Sequence, residues 1–131
     1  ARIRARGGMA GTDASSVMQL QPVYRITVFV PPAHVQALRD GIVAVDALRM
    51  GGYEHGMWTS ATGEEQFRPL PGAAPAQGVA GKLECTPTVR LEFVIPRDPE
   101  RLRRVLESGV FPHHPWEVPA VFVDETLFPL P

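Results

Sequence analysis

Within His114-Pro115-Trp116-Glu117, an imidazole that titrates near neutrality, a rigid turn, an aromatic wall and a carboxylate fall inside four residues. Such a cluster suits a polar ligand or a metal ion. The competing reading has Trp116 plugging the edge of the core and Glu117 hydrogen-bonding exposed backbone. His113 and His114 are adjacent, and on extended backbone their rings point oppositely, so the pair is not a chelate. Zn or Cu at this cluster would want further ligands, for which His55, Glu54, Glu84 and Cys85 are available. His34 falls in the first turn of a helix and reads as a surface residue. Arg68, Gly78, Gly81 and Lys82 share one Gly/Pro-rich segment and could place cations and backbone N–H groups around an anion; solvated loop charge is the plainer reading. No G-x-x-x-x-G-K-[ST] loop and no H-E-x-x-H pair occurs, so an enzyme reading has no nucleophile to name and no catalytic residue is assigned.

These residues must be held by elements. In Val23 to Val30, Tyr24, Ile26, Val28 and Val30 alternate with Arg25, Thr27 and Phe29, the period of a strand with one buried face. Pro31-Pro32 ends it and opens a helix. Val35, Leu38, Ile42, Val45 and Leu48 then form one apolar stripe, and Gly41 within it predicts a close backbone approach. Gly51-Gly52 closes the helix, and Tyr53 to Ser60 reads as a second strand interrupted by Gly56. Ala61 to Gly81 reads as a long irregular loop, of the kind that tends to be functional. Lys82 to Ile95 is the third strand, with Pro87 marking a bulge or an edge. Asp98-Pro99-Glu100 caps a short second helix ending at Ser108-Gly109. Trp116 to Val123 is the last strand, followed by a Pro-capped end from Asp124 to Pro131.

The order strand, helix, strand, strand, helix, strand predicts an α+β fold: a ferredoxin-like βαββαβ sandwich with a four-stranded antiparallel sheet in order 4-1-3-2 and two helices on one face. The other face mixes Arg25, Thr27, Arg90 and Glu92 with Val23, Phe29 and Val94. That face is too apolar to be solvated over its whole area and predicts contact with another subunit.

With 131 residues, 44% hydrophobic and 21% charged, the chain has material for one core. Residues 1–22 read as a tail, flexible or exchanged between chains, and 23–131 as a single domain. A formal charge of −1 supplies no positive field, which argues against nucleic acid or an acidic membrane surface as partner. Cys85 is the only cysteine, excluding an internal disulfide and any Cys-cluster metal site within one chain. No run approaches the roughly 18 apolar residues of a membrane span, and the expectation is a soluble cytoplasmic chain.

Taken together, Tyr24 to Pro31, Gly51-Gly52-Tyr53-Glu54-His55, Phe67-Arg68-Pro69-Leu70 with Gly72, Pro75 and Gly78, Gly81-Lys82-Leu83-Glu84 with Val89-Arg90-Leu91-Glu92, and His114 to Ala120 resemble the PII/CutA-like domain inserted in NGG1-interacting-factor-3-like proteins, occurring here as a stand-alone protein. The resemblance covers about residues 23 to 124. It implies a CutA/PII-type fold that commonly forms trimers, a ligand-responsive loop between the second and third strands, and no catalysis. Gly56 stands where the family often has cysteine, and Trp116 where it often has tyrosine. By motif match, Tyr53, His55, Glu84, His114 and Glu117 would line a shared pocket or subunit junction, to which the residue reading adds Arg68, Lys82 and Trp116. The expected function is a non-enzymatic oligomeric module that senses or binds a small molecule or metal, its cofactor unknown. CutA similarity suggests one alternative, a metal-tolerance protein holding divalent Cu or Zn at His55, His114 and Glu117. The other is a purely structural assembly subunit.

Overall fold

The computed structural model describes residues 17–131; the part of the expected tail before residue 17 lies outside the described residues. Strand β1 (Gln19–Val30) begins four residues earlier than the alternation predicts. Gln19 to Pro22 are not tail but sheet, paired with Leu127 to Leu130. A 3-10 turn over Pro32–His34 leads into α1 (Val35–Val45). Then follow β2 (Trp58–Thr59), β3 (Gly63–Phe67), β4 (Glu84–Pro96), α2 (Pro99–Arg104) and β5 (Val121–Leu130). The sheet runs β2-β4-β1-β5, with β3 also on β4. Counting β2 and β3 as one interrupted strand, this is the ferredoxin-like order expected.

Register sets the core. Tyr24, Ile26, Val28 pair with Ile95, Phe93, Leu91, and these face Leu38, Ile42, Val105 and Val110 of the helical layer. Ile26, Leu91, Ile95, Leu38 and Ile42 are fully buried, each contributing on the order of 2 kcal/mol of hydrophobic stabilisation. The opposite face carries a Thr27 Oγ1 hydrogen bond to Glu92 Oε1 of 2.9 Å, Phe29 edge-on to Phe122 and Arg90 over the Trp58 ring at 4.9 Å.

Further boundaries differ from the sequence reading. Helix α1 ends at Val45, ahead of Leu48 and the expected Gly51-Gly52 stop, because Asp46 is extended and Leu48 takes a positive φ. The second strand is reduced to Trp58–Thr59, because Tyr53 turns back to bridge Met50. The segment 61–81 is not wholly irregular, since Gly63–Phe67 pairs with Glu84 to Thr88. The second helix does not stop at Ser108-Gly109: it widens into a π-type turn over Val105–Val110 and a 3-10 turn over Phe111–His113. A Cβ on Gly109 would lie 3.3 Å from the Ile42 Cα, so glycine here serves helix contact rather than termination. The predicted close approach at Gly41 is found, with the His113 ring occupying the space a side chain would take. The last strand starts at Val121, and Asp124 to Leu130 belong to it. Pro129 is tolerated because β5 is an edge strand. Likewise Pro87 lies where β4 pairs with β3 but has run past the end of β1 at Val30.

Asp98 caps α2 as expected, accepting from the Glu100 and Arg101 amides. Arg101 in turn donates through Nε and Nη2 to Asp46 at 2.5 and 2.8 Å. Asp46 also accepts from the Leu48 amide at 2.9 Å, which supports Leu48 at φ 52°. The Arg101 hydrogen bonds hold the buried Asp46 carboxyl below the usual carboxylate range, against the opposing effect of burial. Replacing Asp46 by Asn strands the guanidinium and weakens the Leu48 turn. Urea unfolding at pH 7 is expected to show a loss on the order of 3 kcal/mol; an unchanged midpoint would show that this pair does not join the helices.

Candidate functional site

The connection from α2 to β5 is fixed to the end of β1 through Phe29. The Phe29 amide donates to Ala120 O at 3.0 Å, and its carbonyl lies 2.7 Å from His114 Nε2. The Trp116 amide donates to His114 Nδ1 at 3.1 Å. Nδ1 is therefore the acceptor, Nε2 carries the proton, and the imidazole is neutral. Burial pushes the His114 pKa down, opposed by the Phe29 hydrogen bond and reinforced by nearby His34. The clamp presents the Trp116 ring 5.4 Å from the His114 ring and 5.9 Å from Phe67, centroid to centroid.

The facing wall comes from β3. Thr59 pairs with Leu91 whereas Gly63 pairs with Thr88, four steps along one chain against three along the other. This is a β-bulge, and its slip of one residue reverses which side chains face which way. Glu65 and Phe67 are thereby half-buried while Glu64 and Gln66 are exposed. Ser60 carries the pairing across the break, its amide donating to Arg90 O and its hydroxyl accepting from the Arg90 amide.

Between the walls lies a crevice of about 500 Å³ lined by Glu65, Phe67, Arg68, Gln77, Trp116 and Glu117 together with small apolar groups. Glu117 Oε2 accepts from the Ala74 amide at 3.0 Å, tying the loop after β3 to the segment before β5. Glu65 Oε1 is buried with no hydrogen-bond partner. Desolvation raises the Glu65 pKa, partly offset by the Thr88 hydroxyl. A largely apolar crevice with an aromatic wall, two acids and an exposed cation can bind and orient a small organic molecule.

Of the eight residues expected to bind ligand, Arg68, Trp116 and Glu117 line this crevice, and His114 backs it. Glu84 opens β4 opposite Phe67 and lies beside Gly78. Lys82 is exposed in the loop, its amide bonded to Val79 O. Tyr53 lines a separate hollow of about 230 Å³ with Trp58, Glu92 and Phe128. His55 is exposed on a turn at φ 61°, a conformation its type tolerates better than most. Within one chain these residues therefore fall in two places and not in one pocket.

The metal set is corrected too. Both ring nitrogens of His114 are occupied by backbone, Glu117 serves Ala74, and among the described residues no group of three His, Cys, Asp or Glu could hold a metal ion. Glu65 and Phe67 were missed. Gly63 to Phe67 shows no apolar alternation in sequence, and its three polar residues conceal which side is inward.

No family model matches the sequence. The chain is 37% identical over 93 residues to a protein of Mycobacterium leprae named GTP cyclohydrolase 1 type 2 homolog, covering 71% of this chain and 23% of that one. A Bacillus subtilis protein of the same name is 29% identical, covering 83% and 28%. The crystal structure of a Bacillus cereus protein related to NIF3 superposes with a TM-score of 0.65 at 28% identity, over 84% of this chain and 29% of that one. The chain thus spans about a quarter of the length of these relatives.

Because the folded His114 binds a proton less readily than the unfolded one, its contribution to stability is present above pH ~6.5 and is lost as pH falls below that value. Urea midpoints should drop between pH 7.5 and 5.5. His114→Gln should lower the midpoint at pH 7.5, by about 1–2 kcal/mol, and flatten the pH dependence. An equally steep profile in that variant would assign the effect elsewhere.

Proposed function

The chain belongs to the NIF3-like family, and from that premise we propose that it is a non-enzymatic binding module whose crevice between β3 and the Trp116 segment takes a small organic molecule. One observation carries this reading: an aromatic-walled crevice that brings together an acid with one buried oxygen unpartnered and a cation free of partners among the described residues, under a loop held by Glu117. Structural glue would have used those groups up. The cyclohydrolase name describes relatives about three times as long, and no reaction is assigned to this chain. The metal-tolerance alternative loses its motivation with the dispersal of His55, His114 and Glu117.

We further propose that the module works as a homo-oligomer, a trimer, joined through the sheet face that bears Phe122 and Trp58. These rings are 58% and 52% exposed, large for a monomer surface. Light scattering should return three times the chain mass, and Phe122→Glu should reduce it to one; a monomeric parent protein would refute the assembly.

The binding reading is tested by a small-molecule screen that monitors the Trp116 indole N–H by NMR and hydrogen exchange of residues 71–77. Binders should shift the indole signal and slow exchange at Ala74. A screen in which neither changes, across nucleotides, amino acids, cofactors and aromatic fragments, would overturn it.

A further inference from the structure

The unpartnered Glu65 oxygen says more about what the crevice accepts. A buried carboxylate oxygen without a donor costs more than a made hydrogen bond gains, so native structures pair such atoms. In this crevice, the described residues include Gln77 and the Arg68 guanidinium, and neither is bonded to Glu65. The missing donor is supplied from outside. Phe67 and Trp116, whose rings meet at 5.9 Å with a 52° tilt, form one aromatic wall with Pro69, Pro75, Val118 and Pro119 beside it; a flat group can lie against this wall, whose one side-chain donor is the Trp116 indole N–H. Two acids, Glu65 and Glu117, against one guanidinium leave the pocket negative, favouring a donor that carries positive charge over the aromatic faces.

We propose that the crevice is a site for a planar aromatic ring with an amidine-like N–C–N edge, which Glu65 reads through its free oxygen, and with an anionic substituent directed to Arg68. This rests on the binding reading above. The ring lies against Trp116 and Phe67. One N–H of the edge donates to Glu65 Oε1, and the acceptor oxygens of Gln77 and Glu117 line the same crevice for the other. Arg68, exposed and without a partner among the described residues, meets the anion at the mouth. No solvent reaches Oε1, so part of the lining must shift to admit the edge; Ala73, Pro75, Ala76 and Gln77 of the loop line the crevice, and in this proposal they lift from Glu117 to let the ring in and close again over it.

Benzamidine, benzamide and 4-amidinobenzoate separate these elements when titrated into the full chain by calorimetry, with the Trp116 indole signal as site marker. Benzamidine should bind at one per chain and about tenfold more tightly than the isosteric neutral benzamide. Glu65→Gln should abolish that difference. 4-Amidinobenzoate should gain further affinity, and only that gain should disappear in Arg68→Gln. Equal binding of benzamidine and benzamide to the unaltered chain overturns the proposal without reliance on any variant, as does a folded Glu65→Gln that still discriminates them. If benzamidine fails while another compound moves the Trp116 signal, the amidine assignment falls and the binding reading stands. If nothing moves it, both fall.

Discussion

The crevice depends on one neutral imidazole. His114 spends its Nε2 proton on the Phe29 carbonyl and its Nδ1 lone pair on the Trp116 amide, so a single side chain joins the last residues of β1 to the segment that walls the site. The Phe29 amide closes the same junction through Ala120. A protonated ring could not accept from Trp116, and a ring of the other tautomer could not donate to Phe29. The geometry therefore holds only while burial keeps the ring uncharged.

That junction is rigid because β1 is the spine of the sheet, paired along its length by β5 on one side and β4 on the other. Within the helical layer the two helical segments are drawn together by contacts that demand small residues, Gly41 beneath His113 and Gly109 against Ile42, and are latched by Asp46 and Arg101. The β2–β3 edge, by contrast, is short and broken. Rigidity is concentrated on the Trp116 side of the crevice, and adaptability on the side of β3 and its loop.

Legibility in the sequence follows the same division. Elements with one apolar face, β1, β4 and α1, announce themselves by period, and Asp98-Pro99-Glu100 announces α2. Elements whose existence depends on tertiary contact do not. Gly63–Phe67 is polar at three of its five positions and becomes a strand only because β4 extends beyond β1. Ser108-Gly109 looks like a stop and is a contact with Ile42. His114, Trp116 and Glu117 were conspicuous as a cluster, although His114 proves to be a clamp instead of a ligand. Nothing local marks Glu65, since the crevice it lines is completed by a loop and by a segment some fifty residues further along.

The bulge explains why that carboxylate is there at all. Continuous pairing from Trp58 and Thr59 would have turned Glu64 and Gln66 toward the crevice and left Glu65 and Phe67 in solvent. One extra residue before Gly63 exchanges them, placing a ring against Trp116 and an acid in a slot where its oxygen has no donor. Slips of this kind disrupt the ladder and are retained where they re-aim a side chain. The unsatisfied oxygen costs about 1–3 kcal/mol, a cost that the proposed ligand removes by supplying one good donor, under a loop joined to the wall by the Glu117–Ala74 hydrogen bond.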